Sequence, residues 1–202
     1  QKHGIDFMLD MVLNHCSIEH EWFQKALAGD SYYQDFFILR DDPTDWLSKF
    51  GGSAWAPFGD TGKYYLHLFD ITQADLNWRN PNVRQELFKV VNFWRDKGVK
   101  GFRFDVINLI GKDEVLEDCP ENDGKPAYTD KPIVHDYLHM MNAATFGKDN
   151  YFMTVGEMSA TTIENCILYT APDRQELSMA FNFHHLKVDY EAGQKWTLKA
   201  FD

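Results

Sequence analysis

Hydrophobic positions along the second half of this chain follow two patterns that alternate. Short apolar runs typical of strands occur at 100–105, 151–156 and 177–183. Apolar residues recur with helical spacing over 81–97, 132–146 and 161–170. Strands that alternate with helices predict right-handed βαβ units and a parallel sheet.

The first eighty residues have a different pattern. Residues 5–13 are almost continuously apolar and predict a buried strand, and residues 19–28 predict a short helix. The stretch that follows is rich in Gly, Asp, Trp and Tyr, with one predicted strand at 63–69. The predicted division is a strand unit at 1–15, an inserted subdomain at 16–80 and further βα units at 81–202.

Two of the predicted strands end on a carboxylate. The run GFRFD ends at Asp105, and the run VGE ends at Glu157. A parallel barrel builds its active site at the C-terminal rim of its strands, so we expect these two side chains to lie close together. Two carboxyl groups about 5–5.5 Å apart are the equipment of a retaining glycosidase. The pattern therefore predicts glycosidic bond cleavage.

The neighbours of the two acids suggest different roles for them. Arg103 precedes Asp105 by two residues and faces the same side of a strand, where it is expected to keep Asp105 ionised as a nucleophile. Glu157, after Gly156 and beside Met158, is expected to be desolvated enough to hold a proton as the general acid. In the structural alternative, Asp105 and Arg103 form an ion pair and Glu157 caps the next helix.

Four segments resemble signature regions of the α-amylase family of glycoside hydrolases. Three of its hallmark regions resemble DMVLNH at 10–15, GFRFD at 101–105 and GE at 156–157. The segment QADLN at 73–77 is similar to the QPDLN signature of the oligo-1,6-glucosidase branch, with Ala74 in place of proline. The resemblance implies retaining hydrolysis that needs no cofactor and no metal.

The same resemblance implies a role for individual residues. Asp105 would be the nucleophile and Glu157 the acid/base. Residues that would support the sugar subsite are Asp10, Asn14, His15 and Arg103, with His15 hydrogen-bonded to a sugar hydroxyl. Val106 follows the nucleophile and is similar to the residue that this branch carries when it cuts α-1,6 or α,α-1,1 bonds.

Three further segments are similar to members of this branch that hydrolyse a phosphorylated disaccharide, and they lie at 104–110, 128–130 and 181–190. The implied partner is a small-molecule sugar, either a phosphorylated disaccharide or an α-glucoside. A phosphate needs a cation nearby, and the candidates are Lys187 and Lys195, beyond the last predicted strand. The alternative for both is an ordinary solvated lysine.

The resemblance covers part of the family's pattern. The fourth hallmark, a His-Asp pair, does not occur in these residues, and neither do the remaining barrel strands. The expected fold class is α/β, a partial (β/α)8 TIM barrel of about strands 3–6 with a small irregular α+β subdomain inserted after the first strand. We expect the chain to be an internal fragment that is inactive alone.

Composition limits the partners. The chain has 202 residues, 44% of them hydrophobic, which is enough for one substantial core. A net charge of −11 argues against nucleic acid and anionic membrane surfaces as partners. No apolar run approaches the roughly 18 residues of a membrane span. Three cysteines without a CxxC pair favour a reducing compartment, so a cytoplasmic location is expected.

Alternatives of other classes start from other residues. His135 and His139 mimic the HExxH motif of zinc peptidases, but Asp136 replaces the glutamate and the helix has the spacing of a packed one. The acidic loop at 117–123 has Cys119 where a calcium site needs an oxygen ligand. The remaining alternative is a non-catalytic barrel relative that binds a partner. The aromatic residues Trp46, Phe50, Trp55, Tyr64 and Tyr65 are expected to form mainly core, and the other role open to them is a platform on which a sugar stacks.

Overall fold

A computed structural model of the chain describes residues 3–183. The strands of this part are β1 Met8–Val12, β2 His15–Ser17, β3 Leu39–Arg40, β4 Trp55–Pro57, β5 Tyr64–Leu66, β6 Gln73–Asp75, β7 Gly101–Asp105, β8 Met153–Glu157 and β9 Met179–Phe181. The helices are α1 Glu21–Leu27, α2 Ser31–Gln34, α3 Pro81–Asp96, α4 Ile133–Ala144 and α5 Ile163–Thr170. Short 3₁₀ segments lie at Ile107–Leu109, Glu121–Ala127 and Pro172–Arg174.

The main sheet has four strands in the order β1-β7-β8-β9, and every neighbouring pair is parallel. The predicted parallel sheet is therefore confirmed. Strands β7 and β8 pair with Phe104 opposite Gly156. This register brings the next residues of the two strands, Asp105 and Glu157, to the same end of the sheet.

Helices α3 and α4 cover one face of this sheet. Asn80 caps α3 by accepting a hydrogen bond from the Asn82 amide, and Pro81 occupies the first turn, where a missing N–H does no harm. Gly98, with φ of 94°, follows the end of the helix in the left-handed conformation that favours glycine. The apolar faces of both helices join Phe102 and Phe104 in one buried core.

The opposite face of the main sheet is open among the described residues. Met8 and Val12 on β1 are 42% and 45% exposed, and Met179 and Phe181 on β9 are also exposed. The expectation of a buried strand at 5–13 is therefore wrong in part, because β1 begins at residue 8 and buries mainly Met11. This open face carries Arg103, Asp105 and Glu157.

The region between β1 and α3 contains more regular structure than the sequence predicts. A three-stranded antiparallel sheet has the order β3-β5-β4, and β2 pairs with β6 in an antiparallel ribbon. The predicted strand at 63–69 is present as β5, whereas β2, β3, β4 and β6 were not predicted. Strand β2 crosses the predicted boundary at residue 15, and the proposed division into three units stays a prediction.

Most of the aromatic residues in this region are core, as expected. Trp46, Trp55 and Tyr65 are buried and Tyr64 is partly buried. Phe50 is the exception, because its side chain is 71% exposed. Phe50 also lies edge-on to the ring of Phe69, with ring centroids 5.9 Å apart.

The two histidines of the HExxH-like motif each have a polar partner at residues 174–176. His135 Nδ1 lies 2.7 Å from Glu176 Oε2, and its ring lies against Tyr169. His139 Nδ1 lies 3.1 Å from the carbonyl oxygen of Arg174. Within residues 3–183, no group of three or more potential metal-binding side chains comes together. No helix in the same range has both the length and the apolar character needed to cross a bilayer.

Candidate active site

The guanidinium of Arg103 joins three carboxylates at the open face of the main sheet. Its Nη1 lies 2.6 Å from Asp105 Oδ1 and 3.1 Å from Asp10 Oδ1, and its Nη2 contacts Glu157 Oε2. The ring of Phe181 lies 5.8 Å from the guanidinium carbon. The structure thus brings together three strand-borne acids around one cation.

This arrangement differs in one respect from the sequence-based expectation. Arg103 was expected to serve Asp105, whereas the structure places it between Asp105 and Glu157. The guanidinium therefore does not by itself separate the roles of the two acids. Burial differs between them, since the side chain of Glu157 is 11% exposed and that of Asp105 is 24% exposed.

The chain turns sharply directly after Asp105. Val106 has φ of 38° and ψ of 41°, a left-handed conformation that a β-branched residue rarely adopts. Its side chain is buried in a cluster with Trp46, Leu109 and Tyr128. The packing of this cluster holds a strained backbone next to an acid, which is where strain is commonly found in active sites.

The residue before the other acid is a glycine in a closely packed position. A Cβ on Gly156 would lie 2.6 Å from the Met158 methyl carbon and 2.7 Å from Leu177 Cδ1. Both distances are shorter than real Cβ contacts, so the ends of these two side chains would have to move to admit a larger residue. The side chain of Glu157 therefore projects from a strand that is closely packed on its other face.

Asp75, the last residue of β6, forms a buried ion pair with Lys112. Lys112 Nζ is 2.7 Å from Asp75 Oδ1 and donates a hydrogen bond of 2.8 Å to Asn14 Oδ1. Asp75 also accepts from Asn14 Nδ2 and from the Leu68 amide. Burial lowers the pKa of the Lys112 ammonium, and the neighbouring Asp75 carboxylate counteracts this effect.

This cluster connects three parts of the chain. Asn14 follows β1, Asp75 ends β6, and Lys112 lies in the loop after β7. Asn14 was expected at the sugar subsite, and in the structure both ends of its amide contact neighbouring side chains, those of Asp75, Lys112 and His15. Neither Asp75 nor Lys112 was predicted as a site residue. Two features of the sequence could have pointed to them. Asp75 lies within the QADLN signature, and Lys112 closely follows the apolar run at 106–110.

His15 contacts Asn14 of this cluster and is close enough to Asp75 and Asp105 for both charges to affect its pKa. Its Nε2 lies 3.1 Å from Gln73 Nε2, its Nδ1 lies 3.3 Å from Asn14 Nδ2, and its ring centroid is 5.1 Å from that of Phe69. The residue is 6% exposed. Burial, the largest influence, lowers the pKa of His15, while Asp75 and Asp105 act in the opposite direction. The imidazole is therefore held mainly neutral at neutral pH.

This lowered pKa predicts a loss of stability in mild acid. Below the unfolded-state pKa of 6.5, the unfolded chain binds a proton that the folded state resists. The unfolding free energy should therefore fall as the pH drops from about 7 to about 5. Thermal unfolding across this range should show a smaller decline in His15→Gln than in the wild-type protein, and equal declines would contradict the assignment.

The other predicted residues lie in different places. Asp10 is on β1, and its side chain is 71% exposed and paired with Arg103. Lys187 and Lys195 lie outside the described residues, so their proposed contact with phosphate stays a prediction. Lys49, in the loop between β3 and β4, donates a hydrogen bond of 3.1 Å to Ser159 Oγ, two residues beyond Glu157. Lys49 was not among the predicted site residues.

The site as a whole has the groups for acid–base and nucleophilic chemistry at one carbon atom. Two carboxyl groups project from neighbouring parallel strands within reach of a single guanidinium. A third carboxylate, Asp10, and the neutral His15 lie on the adjoining elements. Such a pair of acids suits the two-step displacement of a retaining glycosidase.

Comparison with known proteins agrees with this chemistry. The family described as alpha amylase, catalytic domain, matches residues 1–202. The trehalose-6-phosphate hydrolase of Bacillus subtilis (strain 168) is 52% identical over 208 residues, which cover 100% of this chain and 37% of the relative. That of Escherichia coli (strain K12) is 54% identical, with 96% and 36% covered. An oligo-1,6-glucosidase of Parageobacillus thermoglucosidasius is 44% identical, with 98% and 37% covered.

Solved structures show the same relationship. The crystal structure of trehalose-6-phosphate hydrolase from Bacillus licheniformis matches with a TM-score of 0.90 and 52% identity, covering 98% of this chain and 37% of that one. Isomaltulose synthase from Klebsiella sp. LX3 matches with a TM-score of 0.90 and 33% identity, covering 99% and 38%. The chain thus spans little more than a third of the length of these relatives.

Proposed function

Because the chain belongs to the α-amylase family of glycoside hydrolases, we propose that it forms the acid-bearing part of a retaining enzyme that hydrolyses trehalose 6-phosphate. The products are glucose and glucose 6-phosphate. The observation that carries this proposal is the assembly of Asp105, Arg103 and Glu157 on neighbouring strands. Identities of 52% and 54% to two trehalose-6-phosphate hydrolases support the substrate.

In the first step, Asp105 acts as the nucleophile. Its carboxylate oxygen attacks the anomeric carbon C1 and forms an ester bond as the bond from C1 to the leaving oxygen breaks. Glu157 gives its proton to that oxygen, so the leaving sugar departs with a neutral hydroxyl group in place of an alkoxide. Glu157 suits the role of acid because its side chain is the more buried of the two.

In the second step, Glu157 acts as a base. Its carboxylate removes a proton from water, and the resulting oxygen attacks C1 and releases Asp105. Two inversions at C1 give net retention of configuration. Arg103 stays against both carboxyl groups and fixes their positions relative to the sugar.

The four strands of the main sheet are, in this proposal, about strands 3–6 of a (β/α)8 barrel. The parallel order and the helices on one face support this assignment. The region from β2 to β6 would then be the small subdomain inserted after the first of these strands. The open face of the sheet would line the interior of the complete barrel.

The phosphate of the substrate requires a cation in the complete site. Lys187 and Lys195 remain our candidates. A sugar phosphate is charged and does not diffuse across membranes, so we place the enzyme in the cytoplasm. Cys16, Cys119 and Cys166 all lie within the described residues and form no disulfide there, and burial raises the pKa of the Cys16 thiol to about 12. A thiol with so high a pKa stays protonated at neutral pH and is a poor nucleophile.

A second candidate substrate is an α-1,6-linked glucoside. An oligo-1,6-glucosidase is 44% identical to the chain, and Val106 resembles the residue of that branch after the nucleophile. Hydrolysis of trehalose 6-phosphate, trehalose and isomaltose by the complete enzyme separates the two. We expect the highest kcat/KM for trehalose 6-phosphate, and a clear preference for isomaltose would contradict the proposed substrate.

A non-catalytic barrel relative is the alternative of another class. Such a protein needs the fold and has no use for two acids held on one guanidinium. The geometry around Arg103 therefore favours the enzyme. Absence of hydrolysis of every α-glucoside by the complete protein, together with sugar binding, would favour the relative that binds without chemistry.

We predict that the 202-residue chain alone has negligible activity. It spans 37% of the length of the Bacillus subtilis relative, and the sheet face that carries the acids also exposes Met8, Val12 and Phe181. A sugar on this face would be open to water on one side, which weakens every electrostatic contact in the site. Assays of the purified chain and the complete enzyme at equal concentration check this. Comparable rates would refute it.

A further inference from the structure

The loops that follow the two acids are joined by one buried side chain. Asn108, three residues after Asp105, is 0% exposed. Its Oδ1 accepts a hydrogen bond of 2.9 Å from the Ser159 amide, and its Nδ2 donates one of 2.8 Å to the Ser159 carbonyl oxygen. Ser159 is two residues after Glu157. The amide thus binds both backbone groups of one residue in the opposite loop.

This contact takes over where the sheet ends. Backbone pairing of β7 and β8 runs to Phe104 and Gly156, and the left-handed Val106 then turns the first chain away. From that point the backbone of Ser159 has no strand partner, and the side chain of Asn108 replaces it. The amide imitates the next rung of a parallel ladder.

The orientation of the amide is fixed by a second anchor. Asn108 Nδ2 also donates a hydrogen bond of 2.9 Å to Asp130 Oδ1. Asp130 in turn accepts from Tyr169 Oη and from Asn165 Nδ2, each at 2.9 Å. Since a carboxylate accepts and an amide nitrogen donates, this network leaves one orientation for the Asn108 side chain.

Both joined loops contain strained backbone. Val106 has φ of 38°, and Ala160, directly after Ser159, has φ of 54°. Neither residue is a glycine, so each conformation persists because surrounding contacts hold it. Asn108 lies between these two turns and contacts the backbone of the second one.

We infer that Asn108 is a positioning residue that sets the separation of Asp105 and Glu157, an inference that rests on the proposed glycosidase function. Asn108 does not reach the sugar, because it is buried beneath the loops. It acts by keeping the carboxyl-bearing strand ends in register after their backbone pairing stops. Misplacement of catalytic groups by about 1 Å can lower the rate on the order of 100-fold.

The test uses the complete enzyme with Asn108→Ala and Asn108→Asp. Asparagine and aspartate have nearly the same volume, but an ionised aspartate cannot donate to Ser159 or to Asp130 and places a second carboxylate beside Asp130, so it disrupts the clamp without leaving a cavity. The control is Asn92→Ala, which removes a half-buried amide on α3 that donates to the Ala144 carbonyl oxygen, away from the two acids. The measurements are kcat, KM and the pH profile of kcat/KM, each taken well below the melting temperature.

We expect kcat to fall about 10- to 100-fold in each Asn108 variant, with KM within about threefold of wild type. The limbs of the pH profile should move, because the separation of the two acids changes, whereas Asn92→Ala should keep both kcat and profile. A kcat within threefold of wild type in a folded Asn108 variant, or an equal loss in the control, overturns the inference. If the alanine variant does not fold, the aspartate variant decides.

An error in the proposed substrate can be distinguished from an error in the role of Asn108. The kcat and KM of each variant are compared with those of the wild type on one substrate. That substrate is whichever of trehalose 6-phosphate, trehalose or isomaltose the wild-type enzyme cleaves fastest. A preference for isomaltose would refute the proposed substrate and leave the test of Asn108 intact. A wild-type enzyme inactive on all three would refute the glycosidase function, and with it the role of Asn108.

Discussion

Asp105→Asn in the complete enzyme should lower kcat by several orders of magnitude, on the order of 10⁴-fold or more. The amide keeps the shape of the side chain and the contact with Arg103 Nη1 from its oxygen, but it is too weak a nucleophile to attack C1. The measurement is kcat for trehalose 6-phosphate with a substrate-binding control by calorimetry. If the variant still binds the substrate but no longer turns it over, Asp105 takes part in the chemical step.

A matched variant strengthens this test. Asp10→Asn changes a carboxylate that contacts the same guanidinium nitrogen, at 3.1 Å, from a side chain that is 71% exposed. We expect this change to be much milder than Asp105→Asn, because Asp10 does not form the ester in the proposed mechanism. A mild loss in Asp105→Asn, or equal losses in the two variants, would remove the nucleophile assignment.

The second large effect is on stability. Lys112→Met should destabilise the protein by about 3–5 kcal/mol, because it leaves the Asp75 carboxylate buried without its cation. The side chains of the pair are 4% and 0% exposed, so water cannot replace the lost partner. The melting temperature of the complete enzyme should fall by about 3–4 °C, because the unfolding entropy grows with chain length. Differential scanning calorimetry of the complete enzyme measures this directly.

The control for this change is an exposed lysine. Lys89 pairs with Glu86 at 2.7 Å on α3, but its side chain is 69% exposed. Lys89→Met should therefore leave the melting temperature almost unchanged. Combining Lys112→Met with Asp75→Asn should recover part of the lost stability, since both charges are then gone. Equal effects of the two lysine changes would contradict the buried-pair account.

The main sheet and its covering helices could be predicted from the sequence because each is specified by local pattern. The spacing of Val83, Leu87 and Val91 behind Asn80 and Pro81 predicts α3 closely. Strand β7 is similarly bounded by Gly101 and Asp105. Strands β2, β3, β4 and β6 have two or three residues each and depend on partners far away in the chain, so periodicity does not predict them.

The residues of the candidate site also fall into those that the sequence predicts and those that it does not. Asp105 and Glu157 stand at the ends of strands, where a local pattern points to them. Lys112, Asp130 and Asn108 have their roles because of contacts across 22 to 98 positions of sequence, and single residues of these types occur throughout loops. The shared position of Arg103 between the two acids also depends on the register of β7 and β8, which a sequence does not display.

The most direct test of the proposed retaining pair is covalent trapping of the glycosyl-enzyme. The complete enzyme would be treated with 5-fluoro-α-glucosyl fluoride, which slows the second step more than the first, and digested for mass spectrometry. The account predicts a single label on the peptide that contains GFRFD, at Asp105. A label at another residue, or turnover of a natural substrate with inversion at C1, would contradict it.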